Sequence, residues 1–585
     1  MAEFVDPVAA IDELARTDPS ARSVVTKSGV LDRGGLVRAS RALACRLAPD
    51  DPAPVAYLGD FDASYLAVML ACRRLRRPFV PLDPTTSELR LAQMLLSSGA
   101  TDVVLTVGGP RPPLPSRPIR ITTFDISAAV AEGDPPAVRH PDEIAFVVYT
   151  SGSTGVPKGV AQPPRTLASI AALERKTVDL RPGDRVVLVS PPGLVSAPVL
   201  SFAALAAGAE LLAVGNGSDV GALLAFMSLE RATHFLGYVG LARALASHPA
   251  AKSAFSAMRA IQVFGDVVGV EDCAVLRSPM PPGGAVHLLY GLTECIMMVL
   301  WAPPEAFPGE GGRLPLGPPA DGAELWLDVM DGGDEGELLG VSPRTMSGYW
   351  RNEAANRACF VAHPDDPGRK LFATGDVVRL RPDGMLEFVG RRDNQVKLRG
   401  WRIELEEIEA TARRMPGVTG AGVAPRRSGR VTVDALALHF TGDALPDDVR
   451  AGLAAVLPDY MVPTHVVPAP ALPLTPTGQI DRVRLAEIDR QRRDQAETEG
   501  GDAAQLWPDP LARRIAAIIA EEAGVEVVPP DVAALEAGMD SLQAVNAALR
   551  IEKQFAVSIE PGQLLGEHTF AAIVGDIMER ARISG

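Results

Sequence analysis

The residues best equipped for chemistry lie in one run, Tyr149-Thr-Ser-Gly-Ser-Thr-Gly-Val-Pro-Lys-Gly-Val160. Hydroxyls at Thr150, Ser151, Ser153 and Thr154 are interleaved with Gly152, Gly155 and Gly159, and Lys158 sits near the end. Glycine lets a backbone approach an anion and turn its N–H groups inward, hydroxyls add donors, and lysine adds a mobile positive charge. The combination reads as a cradle for a polyphosphate. It is not a Walker loop: the G-x-x-x-x-G-K-[ST] spacing is missing and no Ser or Thr follows the lysine. The competing reading is a flexible surface linker, but linkers seldom follow an apolar strand and end in Pro-Lys-Gly.

A loop of this kind needs rigid elements around it. Residues 144–149 form a β-branched and aromatic run that reads as a buried strand. From about residue 50 to 300, apolar runs (Val55–Leu58, Asp102–Val107, Arg185–Ser190, Glu210–Val214, Ile261–Phe264, Ala285–Leu289) alternate with helical patterns at Ser64–Arg74, Leu89–Ser97 and Leu194–Ala207. That alternation predicts an α/β fold on a largely parallel sheet. From about 320 to 395 the texture turns to short strands and Gly/Pro turns, including Glu335–Val341, Asp376–Arg379 and Met385–Val389. A smaller unit begins near Asp393, with helices predicted over Glu404–Met415 and Pro446–Val456 and strands over Val418–Ala424 and Val431–Phe440. Residues 488–505 are polar, contain Gly500-Gly501, and read as a linker. Helical stretches follow at Pro508–Ala523, Leu542–Phe555 and Thr569–Arg580. The expected domains are 1–392, 393–488, a linker at 489–506, and 507–585.

Composition narrows the function classes. A chain of 585 residues should hold about three or four domains. The net charge of −15 disfavours nonspecific nucleic-acid binding and anionic membrane surfaces. The first residues lack the basic start and apolar run of a signal peptide, and no apolar run approaches the ~18 residues of a membrane span. Five cysteines (45, 72, 273, 295, 359) are scattered, never as C-x-x-C, which fits reduced thiols in a cytoplasmic protein. The eight histidines show no metal-binding spacing. The expectation is a cytoplasmic protein with neither nucleic acid nor membrane as partner.

Five further motifs follow the loop in order: Tyr290-Gly-Leu-Thr-Glu294, Thr374-Gly-Asp376, Gly390-Arg-Arg-Asp-Asn-Gln-Val-Lys-Leu-Arg-Gly400, Leu457-Pro-Asp-Tyr-Met-Val-Pro463 and Thr477-Gly-Gln-Ile-Asp-Arg482. Over residues 1–490 this set closely resembles the adenylate-forming superfamily, specifically the adenylation domains of nonribosomal peptide synthetases. The resemblance implies a large multi-layer α/β core, a small mobile α+β C-terminal subdomain, and the use of ATP with Mg²⁺. It places Thr150, Ser151, Gly152, Ser153, Thr154, Gly155 and Lys158 on the ATP phosphates, with Asp266 and Thr293 also against the nucleotide. Glu294 would ligate Mg²⁺, where an acidic residue suits an ion that bridges phosphate oxygens. Tyr290 and Phe388 would flank the adenine, Asp376 would accept from the ribose hydroxyls, and Arg391 would support ribose and phosphate. Asp393 would be the hinge, and Lys397 would face the site in the thioester-forming state. Thr154, Lys158, Glu294, Lys397 and position 479 would carry the catalysis. Individually, Asp376 could instead be a turn residue, and Arg391 or Lys397 part of a solvated strand face.

The last segment is similar to a peptidyl carrier domain, an all-α four-helix unit. Gly538-Met-Asp-Ser-Leu542 precedes a helix with apolar residues at Leu542, Val545 and Leu549. Ser541, at the start of that helix, would receive phosphopantetheine where the helix dipole favours a phosphodiester. Asp-Ser as a plain helix cap is the other reading of that pair. A swinging thiol arm beside an adenylating site supplies a nucleophile at high effective concentration.

Two departures from the family pattern stand out. Gln479 occupies the position of a lysine that, in the family, bridges the substrate carboxylate and the α-phosphate. Losing one preorganised donor of this kind removes about 3–4 kcal/mol of transition-state stabilisation. The second departure is the acid pocket. Between Asp184 and Glu210 there is no acidic residue, and Val195 stands where α-amino-acid-using members hold the ammonium with an aspartate. The remaining candidates, Ser196, Val199, Phe235, Phe264, Leu289, Met297 and Met298, suit an apolar acid and could equally be core. Asp266 could still meet an amine from another wall. The expected activity is ATP-dependent transfer of a small carboxylic acid to a carrier thiol. A stand-alone loading unit is expected, because no H-H-x-x-x-D-G condensation motif appears. The partners implied are a phosphopantetheinyl transferase and downstream assembly-line enzymes. The alternative is an adenylation-impaired scaffold whose carrier is loaded in trans.

Overall fold

The computed structural model describes residues 7–26, 29–47, 51–107, 109, 119–128, 143–151, 157–215, 219–305, 314–329, 333–366, 368–392, 394–398, 401–428, 432–475, 480–499, 506–523, 527–532, 541–555, 557, 559, 561–565 and 568–584. Among these residues, one sheet runs in the order Val299–Trp301, Ala285–Tyr290, Ala260–Phe264, His234–Tyr238, Arg185–Val189, Glu210–Val214, Arg22–Thr26, Gly29–Asp32, antiparallel only at its two edges. A second runs Gly348–Tyr349, Lys158–Gln162, Phe146–Thr150, Phe79–Leu82, Val55–Leu58, Asp102–Thr106, Arg120–Phe124, parallel from Phe146–Thr150 onward. Inner parallel strands such as Val55–Leu58 and Phe79–Leu82 are buried along their whole length, which is why these runs are apolar rather than alternating.

The two sheets share one core. The helices Arg33–Arg46, Ala63–Arg74, Pro164–Leu173 and Ser196–Ala206 lie between them, and residues of both sheets and all four helices join one buried cluster. Ser196–Ala206 is apolar all round, as expected of a helix packed on every side. A third, antiparallel sheet is centred on Lys370–Leu380, which pairs with Glu335–Val341, Phe360–Ala362 and Leu386–Arg391.

The smaller unit has its own sheet, ordered Trp401–Glu404, Gln395–Leu398, Thr432–Gly442, Val418–Ser428, with His465–Pro468 also beside Thr432–Gly442. Helices Leu405–Ala412 and Pro446–Ala454 cover it, and its core is separate. This unit is buttressed on the large one. Arg90 pairs with Glu407, both buried, and Ser87 Oγ donates to the Val456 carbonyl at 2.7 Å.

One expectation is corrected. Residues 489–499, read as linker, continue a helix, Arg482–Glu499. Leu485 and Asp489 lie four apart on one face, and both are buried. Asp489 accepts from Arg426 Nε at 2.9 Å and from His439 Nε2 at 3.2 Å. The last unit packs helices Pro510–Ala523, Ser541–Phe555 and Phe570–Ser584 around Ile515, Ile519, Ile551 and Phe570. Its expected fourth helix is the short 3-10 turn Pro561–Leu565. Ser541–Phe555 rests against Val239–Ser247 of the large core. No helix among the described residues is long and apolar enough to cross a membrane.

A buried carboxyl offers a stability test. Pro164–Leu173 runs into the π-helical turn Glu174–Val178, where Glu174 accepts from Gln262 Nε2 at 3.1 Å. Burial pushes the Glu174 carboxyl up to about 7. A carboxyl raised above its unfolded value of 4.5 stabilises fully below that value, and the contribution is lost as pH rises toward about 7. Glu174→Gln should therefore raise stability by about 1–3 kcal/mol at pH 8 and by much less at pH 5, read from the denaturant midpoint.

Candidate active site

A cavity of about 770 Å³ opens where the large core meets the small unit. It lies at the C-terminal ends of parallel strands, the usual ligand site of open α/β sheets. Val148, Thr150 and Ser151 come from the end of Phe146–Thr150, and Tyr238, Phe264 and Tyr290 from the ends of three strands of the first sheet. Phe388 and Arg391 reach in from the third sheet, and Gln395, Lys397, Trp401 and Arg402 from the small unit.

Two buried carboxylates bind side chains that line the polar side, Tyr290, Arg391 and Arg402. Asp376 is 0% exposed and accepts from Tyr290 Oη and from Arg391 Nη1. It is held by its own neighbours: its backbone N–H donates to Thr374 Oγ1 at 3.0 Å, and Arg391 Nη2 donates to the Thr374 carbonyl at 3.2 Å. The register explains the pairing, since Asp376 lies directly opposite Arg391 on adjacent strands. Burial holds the Lys397 ammonium below the ordinary lysine value, with Asp376 opposing the shift. The Lys397 Nζ lies 5.7 Å from the centroid of the Tyr290 ring.

Glu294 is 1% exposed. Tyr349 Oη donates to its Oε1 at 2.8 Å and Arg402 Nη1 to its Oε2 at 2.9 Å. Lys158 pairs with Thr150 across the strand hairpin, and its Nζ lies 5.8 Å from the centroid of the Tyr349 ring. Ser151 Oγ donates to the Arg402 carbonyl at 3.0 Å. The Thr293 carbonyl accepts from Gln162 Nε2 at 2.7 Å, and Asp266 Oδ1 accepts from the Val267 backbone N–H at 2.8 Å. Among the described residues no group of three or more His, Cys, Asp or Glu is placed to hold a metal.

The apolar wall is built by Val195, Ser196, Val199, Phe264, Leu289 and Met297. Met297 is a non-glycine residue at φ 46° and is buried, a strained conformation of the kind that collects at ligand sites. Gly291 makes this possible: a Cβ there would stand 2.6 Å from the Met297 backbone nitrogen. Two pocket candidates are corrected to core. Phe235 packs with Val187 and Ile261 behind the sheet, and Met298 packs in the central cluster. Strand parity gives the reason for the first: 234, 236 and 238 share one face and 235 the other, so Tyr238 lines the cavity instead. The Tyr238 ring meets Phe264 edge-on at 5.2 Å.

Gly152, Ser153, Thr154, Gly155, Asp393 and Gln479 lie outside the described residues. So does the side chain of Ser541, whose backbone opens the helix Ser541–Phe555. Sequence reasoning missed Tyr238, Tyr349, Arg402 and the stacked pair Trp401–Tyr460, whose rings lie 3.9 Å apart at 8°. For Tyr238 the alternation of its strand was a usable signal. Tyr349 carried none.

The AMP-binding enzyme family profile matches residues 15–350, and the phosphopantetheine attachment site profile matches 513–577. The chain is 32% identical over 577 residues to phosphinothricin tripeptide synthetase PhsC of Streptomyces viridochromogenes, covering 94% of this chain and 50% of that protein. It is 31% identical over 547 residues to the isonitrile lipopeptide synthase of Mycobacterium tuberculosis, covering 91% of this chain and 21% of that one. It thus spans half or less of the length of these curated relatives. Among solved structures, holo-PA1221, a nonribosomal peptide synthetase protein containing adenylation and PCP domains bound to a vinylsulfonamide inhibitor, superposes with a TM-score of 0.75 at 21% identity, over 97% of this chain and 98% of that one. IdnL1 superposes with a TM-score of 0.69 at 26% identity, over 80% and 98%.

The corrected wall makes a direct test. Phe235→Ala should cost about 3–5 kcal/mol of stability by leaving a cavity behind the sheet, measured by chemical denaturation. A neutral result would place Phe235 outside the packed core.

Proposed function

Since the chain belongs to the AMP-binding enzyme family and carries a phosphopantetheine attachment domain, we propose that it activates a carboxylic acid with ATP and hands the acyl group to the carrier thiol on Ser541 in nonribosomal peptide or related natural-product assembly. ATP, Mg²⁺ and phosphopantetheine are the small molecules that go with these two domains. The observation that carries the reading is convergence: Thr150, Ser151, Tyr290, Phe388, Arg391 and Lys397 come from separate segments and line one cavity, with Asp376 bonded to Tyr290 and Arg391 from behind.

In the first step a carboxylate oxygen of the acid attacks the α-phosphorus and the bond to pyrophosphate breaks. The loop from Thr150 to Lys158 holds the phosphates by N–H groups, hydroxyls and the ammonium. Asp376 and Arg391 receive the ribose, and Tyr290 and Phe388 offer ring faces to the base. In the second step the carrier's thiolate attacks the acyl carbon, the C–O bond to AMP breaks, and AMP leaves. Lys397, half-buried with its Nζ 5.7 Å from the centroid of the Tyr290 ring, would offer that nitrogen to the departing phosphate. As arranged here, Glu294 does not fit a divalent ion, because Tyr349 and Arg402 engage both of its oxygens.

The acid we propose has an apolar body and no α-ammonium. Val195, Val199, Phe264, Leu289 and Met297 line its compartment, and an unpaired ammonium buried there would cost several kcal/mol. The proposed partners are a phosphopantetheinyl transferase and downstream assembly-line enzymes. Gln479 favours one second reading, a scaffold with weak adenylation whose carrier is loaded in trans.

Two measurements test these readings. After phosphopantetheinylation, incubation with ATP and apolar acids should add one acyl mass to the wild-type chain and none to Ser541→Ala; no acyl mass with any acid overturns the loading reading. Gln479→Lys should raise pyrophosphate exchange by about two to three decades. Exchange seen only in that variant would favour the scaffold.

A further inference from the structure

Arg344 is 1% exposed, and every hydrogen-bond acceptor it meets among the described residues is uncharged. A buried guanidinium without a bonded carboxylate is costly, so its N–H donors must be well placed. Two of them bond consecutive carbonyls: Nε donates to that of Ile296 at 3.2 Å and Nη2 to that of Met297 at 3.1 Å. Nη1 is braced on the far side, donating to Ser169 Oγ at 2.9 Å and to the Asp321 carbonyl at 3.0 Å. The Arg344 carbonyl in turn accepts from the Ile296 backbone N–H at 3.3 Å. Peptide planes are rigid, so the relative direction of the Ile296 and Met297 carbonyls is set by φ and ψ of Met297 alone. A planar fork that bonds both carbonyls therefore fixes those dihedrals. This is the residue held at φ 46°, and its side chain lines the apolar wall with Phe264 and Leu289.

We propose that Arg344 is a positioning residue for the acid compartment: it locks Met297 in the left-handed conformation that presents its side chain to the acyl group. The proposal rests on the carboxylic-acid reading above and goes beyond it by naming what sets the shape of the compartment. A methionine released from the fork would return to the ordinary right-handed or extended regions, and its side chain would leave the wall. Arg344 stands behind that wall rather than in it, and acts through Met297.

The test is calorimetry on the full chain with AMP and with propanoyl-, hexanoyl- and phenylacetyl-sulfamoyladenosine, stable mimics of acyl-adenylates. The tightest of the three should bind wild type about tenfold or more better than AMP, since a preformed wall receives the acyl group. Arg344→Met should lose about tenfold for that acyl probe and keep its AMP affinity. Arg344→Lys keeps the charge but cannot span two carbonyls, and should lose nearly as much. Ser169→Ala, which keeps the arginine but removes one brace, should lose about threefold, and it decides the matter where an Arg344 variant does not fold. In Met297→Gly, glycine takes a positive φ freely and no side chain needs placing, so adding Arg344→Met should change acyl affinity no further. Equal losses for both kinds of probe, no loss in the folded variants, full retention by Arg344→Lys, or a further loss in the Met297→Gly background overturns the proposal. So does a wild type that binds no acyl probe better than AMP. Each of those results leaves the adenylating reading standing, whereas wild type that is folded by circular dichroism yet binds none of the probes overturns that reading and the proposal with it.

Discussion

Two buried carboxylates beside the cavity, each gripping side chains that line it, set the terms for the rest of the molecule. Asp376 and Glu294 are both almost fully withdrawn from water, and each must find positive charge close by. Asp376 finds it within its own sheet, from Arg391 on the facing strand, with Tyr290 completing its acceptor sites. Glu294 does not. Its positive partner in this arrangement arrives from the small unit, and so the seating of one folded unit on another is tied to the charge of a single side chain.

The rest of the interface is built to match. Arg90 and Glu407 form a second buried pair across the boundary, and Ser87 reaches the backbone at Val456. Trp401 stacks flat on Tyr460, which stiffens the strand that carries Arg402. Buried ion pairs of this type contribute little net stability, because desolvation offsets attraction, but they penalise wrong arrangements heavily. That is the behaviour expected of a boundary between units that must meet in few ways.

Much of this was legible beforehand. Strands such as Val55–Leu58 and Glu210–Val214 end where the apolar runs end, because parallel strands covered on both faces leave continuous hydrophobic signatures. The order of motifs pointed to residues that line the cavity, including Tyr290, Arg391 and Lys397, and to Asp376 behind them. What was not legible depended on tertiary contact. Phe235 and Tyr238 differ in strand parity, so alternation separates them onto two faces, but a mixed apolar run does not say which face meets a cavity. Arg402 looks like any charged residue on a short strand until the two units are brought together. The helix Arg482–Glu499 reads as polar spacer because, among its described side chains, the buried ones are Leu485 and Asp489, the latter in an ion pair.

That helix also has a mechanical side. Its 18 residues rise ~1.5 Å each, giving a rod of about 27 Å whose root is clamped into the small sheet by Leu485 and Asp489. A stiff rod is a lever: turning its root by about 20° sweeps the far tip through about 9 Å on helix geometry alone. Modest pivoting at the base is therefore magnified along its own length, a gearing that a loose tether of equal length would lack.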